Sequence, residues 1–125
     1  MRLQHVSVPA PLHSSEDARA FYGGLLGLRE KPVPASFEAD RFLWFEAGPD
    51  ELEVHVLLVD APAGRTGAHF CLNVADLEGL RSRLEEAGVE IEEAQPIENR
   101  PRFFCHDPFG NRIELTSIAG PYATR

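Results

Sequence analysis

The sequence predicts an α+β fold made of two halves with the same order of elements: strand, helix, strand, strand, strand. Strand-like stretches with period-two alternation open and close each half. Each half carries one stretch of helical periodicity directly after its first strand. The segment from Asp60 to Gly67, rich in Pro, Gly and Ala and free of periodicity, divides the chain close to its middle. The expected organisation is therefore one domain over residues 1–125, with module one at about 1–60, a linker at about 60–67 and module two at about 68–118.

The first strand, Leu3 to Val8, ends at Pro9, and Pro9-Ala10-Pro11 leads to a helix start at Ser14 or Ser15. Ser14 with Asp17 has capping-box-like spacing, and Ala18, Phe21, Tyr22 and Leu25 follow at i, i+3, i+4 and i+7. Gly27 ends that helix. Three strands follow, Leu28 to Val33, Arg41 to Ala47 and Glu51 to Val59, the last two joined by the turn Gly48-Pro49-Asp50. After the linker, a strand from Ala68 to Val74 runs into Asp76, an N-cap for a helix with Leu77, Leu80, Leu84 and Ala87 on one side, stopped by Gly88. Strands near Val89 to Glu93, Arg100 to His106 and Arg112 to Ser117 complete the second half, with Asp107-Pro108-Phe109-Gly110-Asn111 as the turn before the last.

The length and the 43% hydrophobic and 26% charged residues describe a globular domain with a real core. A net charge of −8 argues against nucleic acid or an anionic membrane as partner, because both require a basic face. A small-molecule substrate is the expected partner. No run reaches the roughly 20 apolar residues of a membrane span, and no basic segment followed by an apolar run marks a secretory signal, so a cytoplasmic location is expected. Cys71 and Cys105 each lie in an apolar strand-like run and read as buried free thiols without chemistry.

The repeat makes four polar residues informative. His5 and His69 occupy the first strand of each half, and His55 and Glu114 the last. Alternation places His5 opposite Val6 and Val8, His55 opposite Val54 and Val56, His69 opposite Phe70 and Leu72, and Glu114 opposite Ile113 and Leu115. One sheet face is thus apolar enough to pack the helices, while the other carries three imidazoles and a carboxylate and is expected to curve into a cleft. That donor set suits a divalent ion such as Fe, Ni, Zn, Mn or Co. The alternative is four half-exposed polar side chains on a solvated face. Trp44, Phe104 and Arg102, on strands flanking the site, are candidate substrate contacts, against core packing for the aromatics and a surface ion pair for Arg102.

The repeated unit, the opening Met1-Arg2-Leu3-Gln4-His5-Val6, the helix Ala18-Arg19-Ala20-Phe21-Tyr22 running into Leu25-Leu26-Gly27-Leu28, and the closing Asp107-Pro108-Phe109-Gly110-Asn111-Arg112-Ile113-Glu114-Leu115 resemble the vicinal oxygen chelate superfamily. That group holds glyoxalase I, extradiol dioxygenases, fosfomycin-resistance thiol transferases, methylmalonyl-CoA epimerase and bleomycin-resistance proteins. The resemblance implies paired βαβββ modules in a U-shaped, largely antiparallel sheet with helices on its outer face. It also implies metal ligands from the first and last strand of each module, here His5, His55, His69 and Glu114.

His5, His69 and Glu114 match the two-histidine, one-carboxylate set of dioxygenase-like and thiol-transferase members. His55 stands where glyoxalase I has a glutamate that also moves a proton, which argues against lactoylglutathione lyase activity proper. The implied function is a metal-dependent lyase, isomerase or dioxygenase acting on a small oxygenated substrate, with the ion as Lewis acid and Glu114 or His55 as proton carrier. The alternative is a metal-free, ligand-sequestering protein of the bleomycin-resistance type. The resemblance further implies a homodimer.

Overall fold

Two compact units divide the chain, Met1–Gly64 and Arg65–Arg125. The structure, a computed structural model, describes residues 1–38, 40–62 and 67–124, so residues 63–66 of the expected linker lie outside the described residues.

In the first unit, strand β1 (His5–Pro11) is followed by a short helix α1 (Ser15–Ala18), a π-helical segment (Arg19–Leu25), and strands β2 (Arg29–Lys31), β3 (Phe42–Glu46) and β4 (Glu53–Val59). The sheet order is β1-β4-β3-β2, with β1 parallel to β4 and the other two pairings antiparallel. Alternation buries Val8 and Ala10 on β1 and Leu43 and Phe45 on β3, where they join Val54, Val56 and Leu58 of β4 and Ala18, Phe21 and Tyr22 of the helical arm. Tyr22 lies against Phe45 at 5.7 Å between ring centroids and Phe21 edge-on to Tyr22 at 5.1 Å. Each such buried large side chain contributes about 1.5–3 kcal/mol.

The first helix departs from the expected single α-helix. Ser14 makes no capping bond, because its hydroxyl donates to the Pro11 carbonyl at 2.6 Å instead. After Ala18 the ladder widens, with Leu26 N–H reaching the Phe21 carbonyl five residues back at 2.9 Å. Gly23 and Gly24 are weak α-helix formers, so the packing of Phe21 and Tyr22 decides the local geometry. Gly27, at φ 75°, terminates the segment as its sequence position predicts. Strand β2 covers only Arg29–Lys31 of the expected Leu28 to Val33, since Pro32 and Pro34 cannot donate to a ladder. The β3–β4 turn closes with Ala47 N–H on the Leu52 carbonyl at 2.8 Å, Asp50 and Glu51 both being left-handed.

The second unit repeats the order: β5 (His69–Asn73), α2 (Leu77–Glu86), β6 (Glu92–Glu93), β7 (Arg102–His106) and β8 (Arg112–Thr116), in sheet order β5-β8-β7-β6. Again the first and last strands pair in parallel and the rest antiparallel. Asp76 caps α2 by accepting from the Gly79 N–H at 3.0 Å, and Leu77, Leu80 and Leu84 are buried, as are Phe103, Cys105, Ile113 and Leu115. Of the expected strand from Val89 to Glu93 only Glu92–Glu93 pairs, against Phe103 and Phe104. The 107–111 turn is tied by buried Asp107, whose carboxylate accepts from the Phe109 and Asn111 N–H groups, each at 2.9 Å, and from the Asn111 amide at 2.8 Å. Among the described residues no helix is long and apolar enough to cross a membrane.

Candidate functional site

Strand register decides which side chains share the polar face of each sheet. In the first unit Ser7 pairs with His55, His55 with Trp44, and Trp44 with Lys31, while His5 pairs with Glu53. The consequence is a stack of three rings across β1, β4 and β3. His55 lies 4.2 Å from His5 at an interplanar angle of 17° and 4.0 Å from Trp44 at 2°. Phe37 and Phe42 extend this wall, Phe37 lying 5.0 Å from Phe42 and 6.0 Å from Trp44. The indole Nε1 of Trp44 is buried with no acceptor among the described residues. His55 is largely buried between its ring neighbours but still lines a groove on this face.

Beneath the stack lies Glu53, buried at 4% exposure. It accepts from His55 Nε2 at 2.7 Å and is bonded to the Lys31 ammonium. Burial pushes the Glu53 carboxyl up, but hydrogen bonds from Lys31, His55 and Gln4 outweigh it and hold the group at about 2. Burial also lowers His55, with the bond to Glu53 opposing it. An ionised carboxylate only accepts, so neutral His55 carries its proton on Nε2 and leaves Nδ1 as the lone-pair nitrogen. His5 has the opposite tautomer: its Nδ1 donates to the Gln4 side-chain oxygen at 2.6 Å, and Gln4 in turn donates to the Glu51 carbonyl at 2.6 Å. The Nε2 lone pair of His5 is therefore the one left to act.

In the second unit Glu114 pairs with Cys71 and Phe104, and Arg112 with His69. His69 Nε2 lies 3.2 Å from Glu114 Oε1, and the other carboxylate oxygen lies 3.3 Å from Arg102 Nη1. Arg102 also donates to the Gln95 carbonyl at 2.9 Å, while its Nε is buried with no partner among the described residues. Phe104 is buried, edge-on to His69 at 5.0 Å, with the Arg112 guanidinium 3.6 Å from its ring centre. Cys71, expected to be buried, is exposed on the His69 face, because odd-numbered positions of β5 point that way; Cys105 is buried as expected. The charged pair Lys31–Glu53 of the first unit has its counterpart at the same register positions in Glu92–Arg112, with the signs exchanged.

Within the first unit His5, His55 and Trp44 thus lie together, and within the second His69, Glu114, Arg102 and Phe104. Among the described residues no three His, Cys, Asp or Glu side chains gather into a metal-holding group. The His5 and His55 rings do not suit one ion as they stand. Imidazole lone pairs lie in the ring plane, and an ion about 2.1 Å from each nitrogen cannot lie in two nearly parallel planes that far apart. His69 and Glu114 do suit one. The Nδ1 of His69 bonds to the Gly67 carbonyl at 3.0 Å, which turns Nε2 toward Glu114. A nitrogen and an oxygen 3.2 Å apart fall between the ligand–ligand edges of about 3.0 Å and about 3.4 Å that octahedral and tetrahedral shells take at a ligand distance of about 2.1 Å. Glu53, Lys31, Gln4 and Arg112 escaped sequence reasoning; the signal for Glu53 was its shared parity with His55, two residues on.

The family model of the Glyoxalase/Bleomycin resistance protein/Dioxygenase superfamily matches residues 2–115. Among solved structures, a protein from Bacillus anthracis assigned to the glyoxalase family is 30% identical, covering 94% of this chain and 95% of its own, with a TM-score of 0.84. The fosfomycin resistance protein FosX from Listeria monocytogenes, complexed with Mn(II) and sulfate, is 16% identical over 93% of this chain and 89% of its own, with a TM-score of 0.71. Lactoylglutathione lyase from Agrobacterium tumefaciens is 20% identical over 93% and 92%, with a TM-score of 0.68. At these lower identities the likeness is one of fold. None of the curated proteins matches the chain.

Proposed function

Because the chain belongs to the Glyoxalase/Bleomycin resistance protein/Dioxygenase superfamily, we propose that it is a metal-dependent enzyme acting on a small oxygenated molecule, of lyase, isomerase or dioxygenase type. The ligands of its divalent ion (Fe, Ni, Zn, Mn or Co) are His5, His69 and Glu114. The observation that carries this reading is the 3.2 Å approach of His69 Nε2 to Glu114 Oε1, with the other nitrogen of His69 bonded to a backbone carbonyl. The same reading makes residues 1–125 one domain of two modules, working as a homodimer in the cytoplasm.

When bound, such an ion supplies Lewis acidity toward an oxygen anion developing on the substrate. The protein's own groups do the rest. Arg102, 3.3 Å from Glu114 Oε2, pairs with that carboxylate and aims it. Held by Glu53 through Nε2, neutral His55 offers Nδ1 as a proton acceptor and is the proton carrier, with Glu114 the second candidate for that role. Its rotation is blocked by His5 on one face and Trp44 on the other. Trp44, Phe104 and Arg102 bound the substrate space.

A Co(II) titration tests the ligand set. Wild type should develop visible ligand-field bands that saturate near one ion per chain, and His69→Ala and Glu114→Ala should lose them while His55→Ala keeps them. An unchanged spectrum in Glu114→Ala would sink the assignment.

A further inference from the structure

The polar face of the first unit opens into a groove of about 730 Å³, a volume in the range of small-molecule sites. Its apolar lining comes from three aromatic rings, Phe37, Phe42 and Trp44, and the Pro32-Val33-Pro34 stretch. Phe37 keeps 45% of its surface exposed there, although burying it elsewhere would be favourable. Among the described residues lining the groove Lys31 is the sole formal cation, and its ammonium is already bonded to Glu53. Glu51 adds a second carboxylate, so the lining offers an organic anion no unspent positive charge and presents it with net negative charge. Flat apolar walls with the cation already neutralised select for a flat, uncharged guest.

We propose that this groove, by its own side chains, binds an uncharged aromatic ring, so that the part of the substrate lying in it is a neutral aryl group. This rests on the reading of the site as catalytic, because His5 and His55 line the same groove. The ring lies against Phe37, Phe42 and Trp44, and its exocyclic oxygen is directed toward the imidazoles.

The chain has a single tryptophan, so the indole N–H of Trp44 gives one resonance in a proton–nitrogen correlation spectrum and reports on the groove directly. Chelator-treated protein is titrated with acetophenone, with cyclohexyl methyl ketone, which keeps the carbonyl but not the flat ring, and with benzoate, which keeps the ring but adds a negative charge. Acetophenone should shift the indole resonance saturably, with a Kd at least tenfold below those of the other two. Phe37→Ala, a change at a half-exposed position, should weaken acetophenone about fivefold. Glu53→Gln, which frees the Lys31 ammonium, should tighten benzoate.

An indole resonance that no probe moves, benzoate binding as tightly as acetophenone, or cyclohexyl methyl ketone binding equally well would each overturn the proposal. Because the titration needs no metal, saturable acetophenone binding by a protein that retains no ion would leave this inference standing while the catalytic reading fell.

Discussion

Replacing Lys31 by Met removes the ammonium bonded to Glu53 while keeping the aliphatic stem that packs beside Trp44. Glu53 is ionised in the folded protein down to about 2, against an ordinary value of 4.5. That preference corresponds to about 3 kcal/mol if nothing screened it. Lys31 is 25% exposed and shares the task with His55 and Gln4, so its loss should cost about 1–2 kcal/mol of folding stability at pH 7. The sign follows from linkage. A carboxyl whose folded value is depressed stabilises above its unfolded value of 4.5 and loses that contribution as pH falls through about 2. Lys31 itself is raised by the same bond, so its side of the pair is intact below 10.5. Urea unfolding followed by circular dichroism, from pH 7 to pH 2, should show the gap between wild type and Lys31→Met at full size near neutrality, narrowing below pH 4.5 and nearly closed at pH 2. A gap of constant size across that range would mean that Lys31 acts by packing alone, and the electrostatic account of Glu53 would be wrong.

Asp107→Ala should destabilise by about 2–3 kcal/mol in the same assay, because it strands the Phe109 and Asn111 N–H donors inside the turn that leads into β8; a loss under 0.5 kcal/mol would remove the turn's structural role. Gly79→Ala should fail to give the gain of about 1 kcal/mol expected in a helix, since its Cβ would lie 2.2 Å from Asp76 Oδ2 and displace the cap. A full gain in thermal stability would show the cap to be dispensable. Arg102→Ala should weaken metal uptake about tenfold by leaving Glu114 without its cationic neighbour, read by competition with a chromophoric chelator.

The parts of the fold that were legible are those in which periodicity and chain breakers agree. Alternation on β1 and β8 read the buried faces, Gly27 and Gly88 marked the ends of the helical arms, and Asp107 to Asn111 marked the turn. The π-helical arm was not legible, because Ala18, Phe21, Tyr22 and Leu25 satisfy the α period just as well, and only packing against Phe45 distinguishes the two. For the site, parity placed His5, His55, His69 and Glu114 on their strands, and it would have placed Cys71 on the exposed face had it been applied there. What a single strand cannot show is its neighbour. The Trp44–His55 stack and the Lys31–Glu53 bond arise from cross-strand register, which leaves His55 stacked between two rings on the groove wall.

On the proposed reading His69 and Glu114, with His5, hold a divalent ion. Elemental analysis of tag-free protein after incubation with Fe, Ni, Zn, Mn and Co, beside His5→Ala, His69→Ala and Glu114→Ala, tests it most directly. Wild type should carry about one ion per chain, and each variant should lose nearly all of it. No more than trace metal in the wild type, or full retention in Glu114→Ala, would contradict it.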